Sequence, residues 1–477
     1  MTAVDLLVLL PIAAAIVAAF SGRHARVVAL LGTLATATTL VTLSGSGVFG
    51  GAEVRGAIVL ERFVPFWAMK LDGLSTPLVA LTAFLSIVAV LASWNVKDRP
   101  AAHHALLIAL EAAVMGVFLA EDIILFYVFW EAVLIPMYFL IGIWGHENRK
   151  HAAQKFFIYT FLGSALMLAG ILVAVTSAQA QRIPDLVGAN ATFPATLVFW
   201  LLLAGMLVKV PVVPLHTWLP DAHVEAPTAG SIMLAGVLLK MGGYGLMRVA
   251  IPFAPSAYEA SRTVLVALGI IGIVYGAAMA LAQSDLKRLV AFSSVAHMGF
   301  VVLAIGSGTP AAYGAAMLGM VSHGVVAGLL FLLVGLLYER THTREIDRFG
   351  GMGRLIPRWA AVLTFGALAS LGLPGLSGFP GEFGAILEGY RAVGWWIAPA
   401  TVGLVLSAAY NLRAVGSVNH GPVAEEWRGM NDLNPTEWIP VSILCVAILV
   451  LGVWPRAVLD ISQVALKLLA PIVGGGV

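Results

Sequence analysis

The chain has 477 residues, of which 60% are hydrophobic and only 11% are charged, and its formal net charge is +2. A soluble domain usually carries about 25% charged residues, so this composition excludes an ordinary soluble fold of this length. The small net charge gives no indication of a nucleic-acid partner, and the single cysteine, Cys445, excludes an internal disulfide and a cysteine-held iron–sulfur cluster.

Apolar segments follow one another along the whole chain. A bilayer core of about 30 Å needs roughly 20 apolar residues of helix. Segments of that kind lie near 2–20, 27–49, 74–94, 104–119, 122–144, 154–177, 197–213, 228–250, 262–283, 288–306, 312–337, 358–390, 395–416 and 438–456. The first lacks the basic region and cleavage site of a signal peptide, so it is predicted to be a membrane helix. The predicted fold class is an all-α polytopic membrane protein with about 14 transmembrane helices.

Two of these helices are predicted to be broken. The seventh contains Pro211 and Pro214, and the twelfth contains Pro374 and Pro380 among spaced glycines. Proline removes a backbone donor, and the freed groups must then face protein or a wet cavity. Breaks five segments apart predict two inverted five-helix repeats. The predicted units are helices 1–3 in residues 1–100, helices 4–8 in 101–250, helices 9–13 in 251–420, and helix 14 with the tail in 421–477.

The basic residues of the connecting loops predict the orientation. With the N-terminus outside, the cytoplasmic loops hold sixteen Lys and Arg residues, and the other side holds nine. Because cytoplasmic loops carry the excess of positive charge, both termini are predicted to face the periplasm. The loop before the fourth segment is expected to include His103 and His104. The tail 457–472 is weakly amphipathic and is predicted to lie along the membrane surface.

Charged residues inside the predicted helices are the sharpest functional signal. Glu131 lies roughly 13 Å into its helix, and Lys209 and Lys240 lie near 18 Å into theirs, at about 1.5 Å per residue. Glu382 follows the break in helix 12, and Glu111 lies within helix 4. Each such charge costs roughly 3 kcal/mol on insertion scales, which a structural role rarely requires. The alternative, a fixed ion pair between helices, stays open, most of all for Glu111.

Four histidines belong to the same series. His297 and His323 lie inside helices 10 and 11, where a side chain that titrates near neutral pH is able to relay protons between lysines. A histidine that only makes a hydrogen bond is the alternative. His216 and His223 lie near the cytoplasmic end of helix 7, where they are expected to shape an entrance or a turn.

Other chemistry leaves no signature in the sequence. No G-x-x-x-x-G-K-[ST] motif and no dinucleotide fingerprint occur, so direct ATP use is not predicted. No pair of histidines stands at heme-ligand spacing. No cofactor or metal site is therefore predicted in this chain, and any electron transfer is expected in a partner.

The region around helices 7 and 8 carries a long motif. Residues 208–223 read V-K-V-P-V-V-P-L-H-T-W-L-P-D-A-H, residues 225–228 read E-A-P-T, and residues 239–245 read L-K-M-G-G-Y-G. This motif resembles the proton-conducting transporter family. That family includes the antiporter-like subunits of respiratory complex I, of Mrp-type sodium/proton antiporters and of membrane-bound hydrogenases. The resemblance runs from Leu71 to Phe383.

Within the family, the chain is most similar to the M-type branch of complex I. The residues that carry this similarity are Phe129-Trp130-Glu131, Pro136-Met137-Tyr138 and Gly381-Glu382-Phe383. Glu382 supplies an acid where the L and N types usually carry lysine. The long lateral helix of the L type is not expected here.

The resemblance implies roles for the buried groups. It implies a Glu131–Lys209 pair on the uptake side, Lys240 as the central proton carrier, His297 and His323 as relay groups, and Glu382 toward the periplasmic exit. It also implies a proton-pumping subunit of NADH:quinone oxidoreductase in a bacterial inner membrane, beside L-type and N-type subunits. FMN, iron–sulfur clusters and quinone would be bound by partner subunits. An Mrp-type or hydrogenase subunit is the alternative, and a purely structural membrane scaffold is a third.

Overall fold

The computed structural model describes residues 3–56, 66–189, 192–423 and 425–473. Arg62, one of the nine basic residues assigned to the outer side, lies outside these ranges. The first part of the chain contains three long helices and a short antiparallel hairpin in which Val54 pairs with Leu71. Their bounds are α1 Ala3–Phe20, α2 Ala25–Thr42, β1 Val54–Arg55, β2 Lys70–Leu71 and α3 Thr76–Ala92.

The next part of the chain folds into ten helices. They are α4 Pro100–Leu119, α5 Ile123–Ala132, α6 Leu134–Trp144, α7 Arg149–Ala178, α8 Ile183–Gly188, α9 Ala195–Lys209, α10 Trp218–Glu225, α11 Thr228–Met233, α12 Leu239–Gly245 and α13 Ile251–Phe253. Two π-helical segments, Leu234–Leu238 and Leu246–Ala250, lie on either side of α12. The Asp122 carboxylate caps α5 by accepting hydrogen bonds from the Ile124 and Leu125 amides.

The remaining helices complete the bundle. They are α14 Pro255–Leu281, α15 Leu286–Ser307, α16 Pro310–Thr341, α17 Met352–Leu355, α18 Pro357–Ser370, α19 Gly378–Val393, α20 Ala398–Asn419, α21 Pro435–Val453 and α22 Arg456–Val473. Asp285 caps α15 and Thr309 caps α16 through their side chains. Asn434 and Glu437 form a capping box at the start of α21, so the sequence specifies these helix starts locally.

Contacts between loops divide the molecule into two faces. One face, called here the hairpin face, holds the β1–β2 hairpin and residues 120–122, 179–183, 306–309 and 456–473. On it, Glu121 N donates to Ala68 O at 2.8 Å and Ile123 N donates to Gln181 O at 2.9 Å. The opposite face, called here the basic face, holds residues 94–99, 144–149, 224–227, 282–288 and 341–351. On it, His146 N donates to Glu225 O at 3.1 Å.

Small residues allow the central helices to pack closely. A Cβ atom at Gly269 of α14 would lie 2.6 Å from Leu303 N, and one at Gly299 of α15 would lie 2.7 Å from Ile273 N. Such positions let helix backbones approach in a membrane, where packing and not water exclusion drives association. The apolar stretch of α16 is buried along its length, whereas α1, α2 and α21 expose most of theirs. The centre of the bundle is therefore α11–α12, α15 and α16.

The prediction of an all-α polytopic membrane protein is confirmed. Eleven helices in the described part are long and apolar enough to cross a membrane. Each of the fourteen predicted segments is helical over most of its length, but the count of 14 crossings and the inverted repeat stay predictions. The helix of the seventh segment, α9, ends at Lys209, and α10 begins after Pro211 and Pro214. The twelfth segment divides into α18 and α19, as its prolines indicated.

The expectation for His103 and His104 was wrong. Both side chains are fully buried in the first turn of α4. His104 Nδ1 lies 2.8 Å from Pro100 O, and the His103 ring packs edge-on against Trp144 at 5.0 Å. Pro100 starts the helix, since proline is well accepted at the first helical position.

Candidate functional site

Lys240 lies at the centre of the bundle on α12, with no exposed surface. Its Nζ donates to the carbonyl oxygen of Ala235, which belongs to the first π-helical segment. π segments are rare and frequently lie at functional sites, because they change the backbone hydrogen-bond pattern of a helix. The same Nζ lies 2.6 Å from Nδ1 of His323 on α16. Lys240 therefore has a direct contact to a second titratable group.

The two histidines that are predicted to relay protons, His297 and His323, are neighbours. The ring centroids of His323 and His297 are 5.5 Å apart, and the rings are inclined by 48°. Both line a cavity of about 20 Å³ that Ser293, Ser322 and Glu382 also line. A space of this size holds one water molecule. His323 Nε2 and Ser322 Oγ have no hydrogen-bond partner among the described residues, and buried polar atoms of this kind are usually hydrated.

Glu382 lies against the second histidine. Its Oε1 is 2.6 Å from Nδ1 of His297, whose Nε2 is 3.2 Å from Ser370 Oγ. The Tyr410 hydroxyl lies 3.5 Å from the same Nε2. The break between α18 and α19 brings this carboxylate into the bundle, with Gly372 at a positive φ of 79° in the turn. Lys240, His323, His297 and Glu382 thus form a continuous line, called here the central line.

The central line runs across the bundle at nearly constant depth. Lys240 lies twelve residues after the start of α11, His323 thirteen after the start of α16, and His297 eleven after the start of α15. Glu382 lies eleven residues before the end of α19. At 1.5 Å per residue these offsets are about 17–20 Å, close to the middle of a bilayer in each case.

Glu131 and Lys209 approach each other without bonding. Lys209 ends α9 and is 1% exposed, and its Nζ lies 5.5 Å from the centre of the Trp130 ring. This Nζ has no hydrogen-bond partner in the described part of the chain. Among the described residues, Glu131 and Lys209 make no salt bridge within 4.0 Å, although Glu131 is near enough for its charge to act on Lys209. The predicted pair is therefore open in this structure.

Two further histidines lie around the broken seventh segment. His223 on α10 is fully buried, and its ring stacks on Phe331 at 4.5 Å. Neither ring nitrogen of His223 has a hydrogen-bond partner within the described ranges. His216 is 4% exposed and packs edge-on against Tyr275. No direct bond joins Lys209 to Lys240 among the described residues, so the step between them needs water or a side-chain movement.

Some neighbours of the site were not predicted. Ser370 and Tyr410 hold His297, and Trp130 lies beside Lys209. Trp130 precedes Glu131 in the sequence, and Ser370 precedes the break. Nothing in the sequence around these two residues indicates that Trp130 contacts Lys209 or that Ser370 contacts His297. Glu111 is fully buried, and both its carboxylate oxygens lack a partner among the described residues, so its role stays open. Within the same ranges, no group of three or more His, Cys, Asp or Glu is arranged to hold a metal ion.

Comparisons with known proteins identify the family of this chain. Residues 120–407 match the family described as NADH:quinone oxidoreductase/Mrp antiporter, TM. NADH-quinone oxidoreductase subunit M of Rhodobacter capsulatus is 40% identical over 487 residues, covering 96% of this chain and 94% of the relative. The subunit M of Pseudomonas aeruginosa is 43% identical over 421 residues, covering 85% and 82%.

Solved structures are also similar to this chain. A chain of respiratory complex I from Thermus thermophilus with bound NADH is 32% identical and superposes with a TM-score of 0.89, over 99% of this chain and 100% of that chain. A chain of the Mrp complex from Dietzia sp. DQ12-45-1b is 21% identical with a TM-score of 0.85, over 100% and 98%. The second similarity shows the fold alone.

Proposed function

The chain belongs to the NADH:quinone oxidoreductase/Mrp antiporter membrane family, and on this basis we propose that it is a proton-translocating M-type subunit of an NADH:quinone oxidoreductase. The subunit M of Rhodobacter capsulatus covers 96% of this chain, and this chain covers 94% of that relative. The observation that carries the mechanism is the central line, because a proton carrier inside a membrane needs titratable groups close to one another.

The central line supports a defined order of proton steps. Lys240 offers its proton to Nδ1 of His323 across 2.6 Å. A neutral imidazole that accepts at Nδ1 carries its other proton on Nε2, so His323 releases that proton into the small cavity shared with His297. His297 then passes a proton to Glu382 across the 2.6 Å contact at Nδ1.

Glu131 and Lys209 supply the loading step. An acidic group close to a buried lysine favours the charged form of the lysine, and moving the carboxylate away favours release of the proton. The open arrangement seen here is consistent with one state of such a switch. We assign Glu131 and Lys209 to the uptake side and Glu382 to the exit side.

The energy for this transport would come from partner subunits. FMN, iron–sulfur clusters and quinone would be held there, and this chain would contribute no redox centre. L-type and N-type antiporter-like subunits would flank it in the membrane. The assembly would lie in a bacterial inner membrane, with the basic face toward the cytoplasm and both termini in the periplasm, as the excess of Lys and Arg favours.

A second candidate function is a subunit of an Mrp-type sodium/proton antiporter or of a hydrogenase-like complex. The Mrp chain shares the fold at 21% identity. Identity of 40% with a subunit M over 96% of this chain favours the first candidate. A scaffold without a transport role would have no use for four titratable groups in line inside the bundle, three of them buried.

The decisive test of this function changes Lys240. Lys240→Ala removes the carrier, and Lys240→Arg keeps the charge but does not release a proton near neutral pH. Both variants are measured in the whole complex in proteoliposomes, by proton pumping and NADH:quinone oxidoreduction. The matched control is Lys150→Arg, at an exposed lysine of the basic face. Both Lys240 variants should lose most pumping, and normal pumping in Lys240→Arg would refute the carrier role.

A further inference from the structure

A large cavity enters the bundle from the hairpin face. It measures about 320 Å³, and its lining includes Lys70, Asp72, Tyr244 and Arg248. Leu468 of α22, which is 63% exposed, also lines it, so the cavity reaches the surface of the molecule. At its inner end lies Tyr244, which is 1% exposed.

This inner end is close to the central proton carrier. Tyr244 follows Lys240 by four residues on α12, which is about one helical turn or 6 Å along the axis. Arg248 follows by another four residues in the second π-helical segment. Tyr244 and Arg248 line this cavity and Lys240 does not, since the Lys240 side chain runs toward the start of the helix, where its Nζ bonds Ala235 O. The two side chains therefore lie between the cavity and Lys240.

These two side chains are firmly held. Arg248 Nη2 lies 2.5 Å from Asp72 Oδ1, and Arg248 Nε donates to the Tyr244 hydroxyl oxygen at 2.9 Å. The Tyr244 hydroxyl in turn donates to Phe118 O at 2.9 Å. Asp72 also accepts from the Leu74 and Ser75 amides, at 3.0 and 3.1 Å. Tyr244, Arg248 and Asp72 are called here the arginine cluster.

Asp72 remains ionised in this setting. It lies in the turn between β2 and α3, outside the membrane-spanning helices. Burial acts to raise the pKa of Asp72, but the charges of Arg248 and Lys70 outweigh burial and hold this pKa well below its usual range. The carboxylate therefore keeps Arg248 in place at any physiological pH.

We propose that the arginine cluster is an ion-paired seal that keeps periplasmic protons from reaching Lys240 by the short route. The proposal rests on the function proposed above for Lys240. A guanidinium group does not release its proton at working pH values, and the bonds of Arg248 to Asp72 and Tyr244 hold it in the passage, so the cluster does not relay protons. The seal leaves the longer path through Glu382 as the route of release, which gives the transport its direction.

The exit side lacks such a seal. Six residues beyond Glu382 on α19 lies Glu388, which is 4% exposed and accepts a hydrogen bond from Thr309 Oγ1 at 2.5 Å. Its ion-pair partner Arg391 has a side chain that is 62% exposed, so solvent screens that charge. The side chain of Arg248 is only 15% exposed and faces the cavity. Arg391 therefore lies largely in solvent, whereas Arg248 lies in the wall of the cavity.

The test measures proton leak in the whole complex in proteoliposomes. Arg248→Gln removes the charge, and Arg248→Lys restores it. Passive decay of an imposed pH gradient is followed without turnover, and pumping is followed with NADH. Arg248→Gln should leak several-fold faster and pump less per NADH oxidised, while Arg248→Lys should be nearly tight. The matched control is Arg262→Gln, at an arginine of the same face that pairs with Glu259 at 2.9 Å and does not line the cavity.

A double variant identifies the leak path. Because the leak is expected to pass through Lys240, Arg248→Gln combined with Lys240→Ala should be tight again. A leak that persists in the double variant, or a tight and fully pumping Arg248→Gln, would overturn the seal. If Arg248→Gln does not assemble, Tyr244→Phe removes only the hydroxyl contacts to Arg248 and Phe118, and a tight Tyr244→Phe complex would overturn the proposal. Normal pumping in Lys240→Ala alone would instead refute the proposed function.

Discussion

At the scale of residues, two pairs of titratable groups differ in whether their members are bonded to each other. His297 and Glu382 are bonded at 2.6 Å, whereas Glu131 and Lys209 make no contact within 4.0 Å among the described residues. In the bonded pair, the hydrogen bond holds a proton between His297 and Glu382. In the open pair, Lys209 has no bond to the carboxylate, which favours release of its proton. In the proposed function, the bonded pair belongs to the relay and the open pair to the uptake step.

The open pair leads to a prediction for Glu131. A static buried salt bridge that loses one partner costs about 3–5 kcal/mol, because the other charge remains buried and unpaired. Since Glu131 does not bond Lys209 here, Glu131→Gln should assemble normally, as judged by native gel, yet lose proton pumping. Glu131→Asp should keep substantial pumping. Wild-type pumping in Glu131→Gln would remove Glu131 from the mechanism, and failed assembly would favour a structural role.

His297 carries a second prediction at this scale. Replacing it by phenylalanine keeps a ring in the core but removes the contacts to Glu382 and Ser370. We expect the complex to assemble and to lose pumping, because the central line is interrupted between His323 and Glu382. His420→Phe, at an exposed histidine, is the control. Unimpaired pumping in His297→Phe would mean that protons bypass this residue.

The sequence predicts the chemistry of the site better than its contacts. A charged residue within an apolar segment is recognised from the sequence alone. The sequence is therefore enough to select Glu131, Lys209, Lys240 and Glu382. Partners from distant segments, such as Tyr410 at His297, are set by helix packing, which one sequence does not specify. Pro100 and the charges that precede His103 favour a loop, although the burial of His103 is decided by contact with a distant tryptophan.

At the scale of elements, the broken helices and the π segments position the site. The breaks follow from proline and glycine, so the sequence predicts them. The π segments around α12 contain no such residue pattern, and they depend on packing against neighbours. One example is Gly242, where a Cβ atom would lie 2.7 Å from Met206 O at the end of α9. Backbone irregularity of this kind has no signature in the sequence.

The break before α19 yields a prediction about helix packing. A Cβ atom at Gly381 would lie 2.7 Å from Gly319 N, in the backbone of α16. Gly381→Ala should therefore push α19 away from α16, at a cost of about 1–3 kcal/mol in stability, and move Glu382 from His297. Pumping should fall more than assembly on a native gel. Gly416→Ala, where nothing lies within 4 Å of the new Cβ, should be neutral, and a fully active Gly381→Ala would contradict this account.

At the scale of the whole molecule, the two faces can be told apart by labelling. After Cys445 is replaced by alanine, Glu53→Cys places a thiol on the hairpin face and Lys150→Cys places one on the basic face, both at exposed positions. In intact cells, an impermeant thiol reagent should label Glu53→Cys and should label Lys150→Cys only after the inner membrane is opened. The reverse pattern would invert the orientation and the direction of transport.

The nearly constant depth of the central line has an electrical consequence. Moving one charge across a membrane potential costs about 2.3 kcal/mol per 100 mV, in proportion to the fraction of the field that is crossed. In the proposed function, transfers from Lys240 through His323 and His297 to Glu382 would run parallel to the membrane plane, so they would cross almost none of that field. The work against the voltage is therefore concentrated in loading and release. A rising membrane potential should slow these two steps and leave the internal transfers unchanged.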